Sequence, residues 1–362
     1  MHLYVHVPFC QRRCSYCDFS IAVRKQIPAR EYVDVILKEG GSLHDREWET
    51  IYFGGGTPSL LPAEQIAELL RGLTSQCRMP HAAREVTLEA NPEDVTAEKA
   101  RAWRDAGVNR ISLGAQSFDD NVLKWMHRSH DAAQTKRAVQ ALRDAGIENI
   151  SLDLIFGLPE ELKRDWERDL DTVGSLLPAH CSLYGLTVEP RTPLDRWISR
   201  GATAAPNDDR YAEEYLAAHR RLSADGFEFY EVSNAARPGF RSRHNSAYWS
   251  GKPYVGLGPA AHSFDGTTRR WNLRAWEAYR RAIADGRSAV ESEETLSPEQ
   301  EELEAVYLGL RTVEGIAVAA LCRPMPPFVA QGWIYEEAGR LKCTPEGWLR
   351  LDSLVTHDSA TH

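Results

Sequence analysis

The chain has 362 residues, of which 43% are hydrophobic and 26% charged, and its formal net charge is −9. This is the composition of an ordinary globular protein, and the negative charge argues against general nucleic-acid binding, which requires a basic face. No apolar run is long enough to span a bilayer. The segment that begins at Met1 lacks the basic and apolar regions of a signal peptide. We therefore expect a cytoplasmic protein without a nucleic-acid partner.

Short apolar strands alternate with amphipathic helices through the first half of the chain. The predicted strands cover residues 3–7, 50–53, 85–89, 110–114, 150–156 and 181–188. The predicted helices between them cover residues 29–43, 62–73, 96–106, 119–126, 131–145 and 163–176. This alternation predicts right-handed βαβ units in a parallel sheet. Six such units indicate an α/β fold, a partial (β/α)6 barrel with its chemistry at the carboxyl ends of the strands.

The regular alternation ends beyond Glu189. The pattern predicts a helix over 207–224, a strand over 227–233 and a loop-rich stretch from 234 to 271. A helix over 299–311, a short helical piece near 318–321 and a hairpin or wing over 339–347 follow. We therefore divide the chain into a barrel (1–225), a loop-rich region (226–295) and a small, mainly helical C-terminal domain with a possible wing (296–362).

Three thiols follow the first strand at CxxxCxxC spacing, as Cys10, Cys14 and Cys17. A loop this short can direct all three sulfurs to one point, and the position two beyond Cys17 is Phe19 rather than a fourth cysteine. A [4Fe–4S] cluster held by three thiolates leaves one iron without a protein ligand, and that iron can bind a small molecule. The spacing therefore predicts a cluster with an open coordination position.

Other readings of these cysteines are weaker. Structural zinc usually takes four nitrogen or sulfur ligands, and His6, the nearest further ligand, lies within the predicted strand. A disulfide framework requires a secretory context. The remaining cysteines are scattered, and we expect them to be small structural side chains; they are Cys77, Cys181, Cys322 and Cys343.

Unusual residues mark the ends of the next four predicted strands. Gly54-Gly-Gly-Thr57 follows the second strand without the lysine of a phosphate-binding loop. Glu89 lies on the third strand, Gln116 follows the fourth and Asp153 lies on the fifth. A solvated carboxylate is the ordinary explanation for one such residue alone. Because parallel strands end at one edge of a barrel, their recurrence predicts a ligand site there.

Several strings resemble the oxygen-independent coproporphyrinogen dehydrogenase family of radical S-adenosylmethionine (SAM) proteins. They begin at Tyr4 (YVHVPFC), Tyr52 (YFGGGTPS), Leu88 (LEANP), Ser112 (SLGAQS) and Asp153 (DLIFGLP). The resemblance implies SAM contacts at Tyr4, Tyr16, Gly55, Gly56, Thr57, Glu89, Gln116, Arg128 and Asp153.

Each of these contacts has a chemical reason. Gln116 and Asp153 can hydrogen-bond ribose hydroxyls, and Glu89 can pair with an ammonium group. Arg128 can bind a carboxylate through its guanidinium fork. The glycines allow a ligand to approach the backbone closely, and the family motif implies that they hold the amino group of SAM.

The family divides into two branches. The dehydrogenases have a CxxxCxxCxC motif and a long N-terminal arm, whereas this chain has Phe19 and only nine residues before Cys10; we expect no such arm. The string from His244 to Trp249 (HNSAYW) resembles the HNxxYW motif of the HemW-type haem chaperones. It implies haem binding by His244, Tyr248 and Trp249, although such residues can also form a structural core patch. His262 is a second candidate ligand.

The resemblance implies a haem chaperone that binds a [4Fe–4S] cluster and SAM and delivers haem, its cargo, to respiratory haem proteins. The alternative is an enzyme for the SAM-dependent radical oxidative decarboxylation of coproporphyrinogen propionates, with flavodoxin or ferredoxin as electron donor. Phe19 and the short segment before Cys10 favour the chaperone. Because the implied set of SAM contacts is intact, the enzyme remains the alternative function. The family also suggests a homodimer linked to SAM.

Overall fold

The computed structural model describes residues 1–43, 46–75, 84–321 and 325–359. Cys77 and Cys322 lie outside these residues. The five cysteines within the described ranges form no disulfide, and Cys181 and Cys343 are buried, as expected for small structural side chains. Within the same ranges, no helix combines the length and the apolar character that crossing a bilayer requires.

The first half of the chain alternates strands and helices as predicted. Its described strands are β1 (His2–Val7), β2 (Phe9–Cys10), β3 (Ala22–Val23), β4 (Thr50–Gly55), β5 (Glu85–Ala90), β6 (Arg110–Gln116), β7 (Asn149–Phe156) and β8 (His180–Gly185). Its described helices are α1 (Ala29–Glu39), α2 (Ala63–Thr74), α3 (Ala97–Ala106), α4 (Asp120–Trp125), α5 (Ala132–Asp144) and α6 (Trp166–Leu176).

Six of these strands form the barrel wall. They are neighbours in the order β1-β4-β5-β6-β7-β8, and every adjacent pair is parallel. The predicted partial (β/α)6 barrel is therefore confirmed. The strand predicted to run to residue 188 ends at Gly185, and the helix predicted from residue 163 begins at Trp166 after Lys163 adopts a left-handed backbone.

The second half contains more regular structure than the sequence indicated. Its described elements are α7 (Pro193–Ser199), α8 (Asp208–Ala224), β9 (Glu228–Glu231), β10 (Asn234–Ala236), α9 (Arg243–Trp249), β11 (Tyr254–Leu257), β12 (His262–Phe264), β13 (Thr268–Asn272), α10 (Trp276–Ala284), β14 (Val290–Thr295), α11 (Pro298–Arg311), β15 (Ile316–Ala317), α12 (Pro326–Ala330), β16 (Ile334–Glu337), β17 (Arg340–Cys343), α13 (Pro345–Trp348) and α14 (Leu351–Ser359). The stretch expected to be loop-rich thus holds a helix and several short strands.

These additional strands extend both edges of the barrel wall. β11 pairs with β1 in parallel, and β12, β13 and β14 follow it as antiparallel neighbours. At the other edge β10 pairs with β8, and β9 pairs with β10. One sheet of twelve strands results among the described residues. It crosses the boundary that we drew at residue 225, and the division into three domains stays a prediction.

The C-terminal segment combines helices with a small antiparallel sheet in the order β15-β17-β16. The turn between β16 and β17 lies at Ala338 and Gly339, both with a left-handed backbone. This hairpin spans Ile334–Cys343, so it begins five residues before the predicted position. The small helical domain with a wing is confirmed as an architecture.

The two faces of the barrel wall differ in chemistry. Alternate side chains on a strand point to opposite faces, and one set, which includes Leu3, Ile51 and Leu88, is fully buried in the apolar core with the helices. The other set is polar and hydrogen-bonds across the interior, as in the Ser112–Asp153 and Ser151–His180 pairs. Parallel strands usually bury apolar residues on both faces. The inner face of this barrel therefore does not form an ordinary apolar core.

Buried neutral histidines make this fold sensitive to acid. The ring of His219 on α8 stacks on Phe229 with centroids 3.5 Å apart, and burial lowers its pKa from 6.5 to about 3. Below pH 6.5 the unfolded chain therefore binds a proton that the folded chain does not. The stability contributed by the neutral ring is complete above that pH and is lost as the pH falls towards 3.

We expect His219→Phe to reduce this acid sensitivity, because phenylalanine keeps the stacked ring and removes the titrating group. Relative to wild type, the free energy of unfolding of the variant should gain about 2 kcal/mol between about pH 7.5 and about pH 5.0. Urea unfolding of both chains at the two pH values measures this. If the free energies of unfolding of the two chains differed by the same amount at both pH values, the acid sensitivity could not be assigned to this residue.

Candidate functional site

The three cysteines lie on a loop that neighbouring elements hold at the mouth of the barrel. β2 and β3 pair on either side of the loop. The amide of Ser15 donates to the Met126 carbonyl at 3.2 Å, and the Ser15 carbonyl accepts from Leu194 at 2.8 Å. Cys10 is buried, whereas Cys14 and Cys17 are half-buried. The loop therefore presents its thiols from a fixed base.

One cavity collects most of the predicted site. It has a volume of about 530 Å³, within the ~300–1,000 Å³ typical of cofactor sites. Its lining includes all three cysteines and eight of the nine predicted SAM contacts, namely Tyr16, Gly55, Gly56, Thr57, Glu89, Gln116, Arg128 and Asp153. The cavity lies at the carboxyl ends of the barrel strands, where the fold places chemistry.

The surroundings of the thiols differ. Cys10 Sγ lies 3.4 Å from the hydroxyl oxygen of Thr57, and a guanidinium nitrogen of Arg128 lies 3.5 Å from Cys14 Sγ. Burial raises the pKa of Cys17 to about 11 and also raises that of Cys10. Metal coordination deprotonates such thiols, so the loop suits a metal centre better than a free thiolate.

No group of three or more histidine, cysteine, aspartate or glutamate side chains surrounds a single metal ion within the described ranges. A four-iron cube does not need such a group, because each cysteine thiolate binds a different iron. The three thiols on one cavity wall therefore fit a cluster and do not fit a mononuclear zinc site, which takes four ligands on one ion.

The glycines after β4 are required by close contacts with the protein. A Cβ on Gly56 would lie 2.7 Å from the Phe9 carbonyl oxygen, and a Cβ on Gly55 would lie 2.5 Å from the His6 ring. Gly55 also has φ +110°, which L side chains rarely adopt. These residues let the end of β4 lie directly against the strand that leads into the cysteine loop, and they line the cavity beside it.

Glu89 is held at the cavity wall by two donors. The Tyr52 hydroxyl donates to it at 2.8 Å and the Gly55 amide at 3.0 Å. Burial nevertheless raises the pKa of Glu89 to about 7, and these two hydrogen bonds only partly oppose the effect. A cation in the cavity would favour the ionised carboxylate. The side chain therefore fits an ammonium partner.

A strand irregularity places Gln116. The register between β6 and β7 shifts between Leu113 and Gln116, and Gln116 has φ +64°. A non-glycine residue with this backbone carries strain, which is concentrated at functional sites. Gly114 leaves the room for it, because a Cβ there would lie 2.9 Å from the Gln116 amide nitrogen and 3.2 Å from the Arg128 guanidinium.

Arg128 is oriented by one half of its guanidinium. Its Nη2 donates to Asn91 Oδ1 at 2.6 Å and to the Gly114 carbonyl at 3.1 Å. Its Nε is buried and has no hydrogen-bond partner among the described residues. Arg128 lines the cavity, and a guanidinium there fits an anionic group of a ligand, such as the carboxylate of SAM.

Asp153 accepts hydrogen bonds from two serines. The Ser112 hydroxyl donates to both carboxylate oxygens at 3.1 and 2.9 Å, and Ser151 donates to one at 3.0 Å. Burial raises the pKa of Asp153, and these hydroxyls oppose the shift. Ser112 and Asn91 are not among the predicted site residues. Both lie inside the quoted motif strings, and their polar side chains at strand ends were the available signal.

Tyr4 does not line this cavity. Its hydroxyl lies 3.1 Å from His6 Nδ1, and its ring stacks near Tyr52 with centroids 6.0 Å apart. It instead lines two neighbouring cavities of about 440 and 470 Å³. The second of these cavities is also lined by Gly55 and Glu89, so Tyr4 lies beside two of the other candidate SAM contacts although it does not line the cavity of the cysteines.

His244 lies at the opposite end of the barrel from the cysteines. It is the second residue of helix α9, whose first amides, those of Arg243 and His244, each donate to the Glu85 carboxylate at 2.9 Å. Its Nδ1 lies 2.6 Å from the Thr50 hydroxyl and its Nε2 lies 2.8 Å from the Tyr248 hydroxyl. Thr50 and Glu85 are the first residues of β4 and β5, so this helix closes the amino end of the barrel.

The observed conformation of His244 is that of a structural histidine. The residue is 1% exposed and its ring stacks on Tyr52 with centroids 5.0 Å apart. Burial lowers its pKa to about 3. Both ring nitrogens are hydrogen-bonded, so neither offers a lone pair to haem iron in this arrangement. The prediction that His244 binds haem iron therefore requires these hydrogen bonds to break.

Tyr248 and Trp249 follow His244 on the same helix. The Tyr248 ring packs edge-on against Tyr254 with centroids 4.6 Å apart. The Arg311 guanidinium lies 4.1 Å above the Trp249 ring, and the indole N–H of Trp249 has no hydrogen-bond partner among the described residues. Both rings line the cavity of about 440 Å³, together with His262.

Comparisons with known proteins agree with the fold described above. Residues 4–173 match the model of the Radical SAM superfamily, which is the class that the barrel and its cysteine loop define. The chain is 35% identical to the heme chaperone HemW of Bacillus subtilis (strain 168), over 87% of this chain and 84% of that protein. It is also 35% identical to the heme chaperone HemW of Escherichia coli (strain K12), over 98% of this chain and 97% of that protein. The chain belongs to the HemW family.

A solved structure agrees with the fold. The coproporphyrinogen III oxidase HemN of Escherichia coli superposes with a TM-score of 0.84, covering 99% of this chain and 90% of that one. The sequence identity is 21%, so the likeness concerns the fold. The family resemblance inferred from the sequence strings is confirmed.

We expect Gly56→Ala to impair cluster assembly, because the new Cβ would push the segment before Cys10 away from β4. Overpacking of this kind costs about 1–3 kcal/mol. Gly41→Ala is the matched control, since nothing lies within 4 Å of a Cβ at that position. After anaerobic reconstitution, the iron and sulfide content of Gly56→Ala should be lower than that of wild type, and that of Gly41→Ala should be unchanged. Equal content in both variants would show that the close approach is not needed for assembly.

Proposed function

We propose that this protein is a haem chaperone built on a radical SAM barrel. It holds a [4Fe–4S] cluster on Cys10, Cys14 and Cys17, binds SAM beside the cluster and carries haem as cargo for respiratory haem proteins. One observation supports the cofactor part most strongly: a single cavity is lined by the three cysteines and by eight of the nine candidate SAM contacts. The haem cargo is inferred from the relatives named heme chaperone.

A cluster held by three thiolates offers SAM an open iron and a source of electrons. The residues of this chain supply the rest of the binding site. Glu89 and Arg128 both line the cavity, and their side chains complement the ammonium and carboxylate of a zwitterionic amino acid. Asp153 and Gln116 are placed to hydrogen-bond ribose hydroxyls.

The second candidate function is the oxidative decarboxylation of coproporphyrinogen. The candidate SAM contacts gathered in one cavity favour it, and it would require an electron donor such as flavodoxin or ferredoxin. Phe19 argues against it, because the dehydrogenases of the resembling branch carry a further cysteine at that position. In this chain the Phe19 side chain is 61% exposed. It therefore adds an apolar surface beside the cluster loop where the other branch has a thiol.

Two anaerobic assays on the reconstituted protein separate these functions. The chaperone should bind haem to saturation and pass it to an apo haem acceptor, followed by the visible spectrum of each protein. It should release no carbon dioxide from coproporphyrinogen III with SAM and a reductant. Turnover in the second assay without saturable haem binding in the first would reverse the assignment.

The pKa of Glu89 predicts how SAM binding depends on pH. The site needs the ionised carboxylate for an ammonium partner, and this form increases as the pH rises through about 7. The affinity for SAM should therefore rise about eightfold between about pH 6.0 and about pH 7.5. Glu89→Gln should bind SAM more weakly and lose most of this dependence.

Equilibrium binding of SAM to the cluster-loaded protein, at a series of pH values, provides the measurement. Glu98→Gln is the matched control, because Glu98 is an exposed glutamate on α3. It should keep the pH dependence of wild type. If Glu89→Gln kept that dependence too, Glu89 would not be the group that pairs with the ligand.

A further inference from the structure

We infer that the haem iron is bound by His262, in a cleft beside the cluster loop, and that His244 supports the barrel instead. The inference rests on the proposed haem-chaperone function and deepens it, since it names the ligand and the place of the cargo. It is carried by the contrast between the ring contacts of three histidines and by the two cavities that His262 lines.

The three histidines of this part of the molecule differ in what their ring nitrogens contact. Both nitrogens of His244 are hydrogen-bonded, to Thr50 and Tyr248. Both nitrogens of His6 are also engaged, by the Tyr4 hydroxyl at 3.1 Å and the Ser20 carbonyl at 3.2 Å. His262 is exposed, and neither of its nitrogens has a hydrogen-bond partner among the described residues. It is therefore the histidine of the three that can bind a metal without rearrangement.

The cleft at His262 has the size and the walls for a flat apolar ligand. The two cavities of about 440 and 470 Å³ adjoin, with Tyr4, His6, Ala260 and His262 lining both. Each volume alone is typical of a cofactor site. The Trp271 ring stacks on His262 with centroids 5.8 Å apart and an interplanar angle of 26°. Aromatic faces of this kind suit a porphyrin.

Basic groups lie where haem propionates need partners. Arg274 lines the cavity of about 470 Å³, is exposed and forms no ion pair with the described residues. Arg269 lines the cavity of about 440 Å³, where it pairs with Glu304. Guanidinium groups bind carboxylates by paired hydrogen bonds. Burial, and then the charges of Arg269 and Arg274, lower the pKa of His262, which favours the neutral imidazole that an iron ligand requires.

Tight backbone contacts hold His262 in place. A Cβ on Gly258 would lie 2.5 Å from the His6 carbonyl oxygen, and a Cβ on Gly256 would lie 2.1 Å from the His262 carbonyl oxygen. The side-chain amide of Asn272 donates to the Gly258 carbonyl at 3.0 Å. The turn before His262 is thereby fixed against β1, the strand that leads into the cysteine loop. Ala260 in this turn has φ +58°, a strained backbone that is common at binding sites.

The cleft also adjoins the proposed SAM site. Asp18, Phe19, Gly55 and Glu89 line both the cleft and the cavity of the cysteines. Haem on His262 would therefore be a neighbour of bound SAM, and the exposed Phe19 ring would contribute an apolar edge. By contrast, His244 is at the amino end of the barrel, away from this mouth.

The test is an anaerobic haem titration of the cluster-loaded wild type, His262→Gly and His219→Phe, followed by visible spectroscopy with and without added imidazole. We expect His262→Gly to bind haem about tenfold or more weakly and to lose the histidine-ligated spectrum, because an axial bond is missing. Imidazole should restore that spectrum by entering the vacated position. His219→Phe removes a buried histidine elsewhere and should match wild type.

Each outcome is decisive. Wild-type binding with an unchanged spectrum in His262→Gly would overturn the inference and leave the proposed function intact. Weakened binding that imidazole does not restore, with normal cluster content, would also overturn ligation by His262. Absence of saturable binding by wild type would remove the proposed function and the inference together. Cluster absorbance, recorded in the same samples, reports whether the variant has folded.

Discussion

The polar interior of the barrel is the constraint on which the rest of the structure depends. Apolar side chains such as Leu3 and Ile51 fill the outer face of the wall and bind the helices. The inner face can therefore carry groups that would weaken an ordinary core, provided that each is hydrogen-bonded. Asp153 and Glu89 meet this condition through serine, tyrosine and backbone donors. Hydrogen bonds hold these two side chains in place at the mouth of the barrel. The apolar packing on the outer face supplies the stability of the fold.

The same constraint explains the helix that carries the HNxxYW string. Without this helix the Glu85 carboxylate would lose two amide donors, and the Thr50 hydroxyl would keep only its contact with His2. Helix α9 satisfies them with its first amides and with His244. The string thus resembles a binding motif in sequence and acts as a closure in the structure. Its aromatic residues still reach the cleft from below, as Tyr248 and Trp249 line one of its cavities.

Local sequence signals predicted which residues gather at the carboxyl ends of the strands. A parallel barrel brings these ends together independently of the conformation of the loops. The helix predicted from residue 96 is capped by Thr96, whose hydroxyl accepts from the Lys99 amide at 3.1 Å. The positions of Tyr4 and His244 could not be predicted, since they depend on strand parity and on long-range contacts across about 200 residues. Strand β11 was missed because it is only four residues long and its pairing with β1 is non-local, and the short strands β12 to β14 continue the sheet from it.

The central claim is that three thiolates hold a cluster with an iron open to SAM. The most direct measurement is the electron paramagnetic resonance spectrum of the anaerobically reconstituted, reduced protein before and after SAM is added, with iron and sulfide counted in the same sample. The account predicts about four irons and about four sulfides per chain and a spectrum that changes on adding SAM. Stoichiometric zinc, or a cluster spectrum indifferent to SAM, would contradict it.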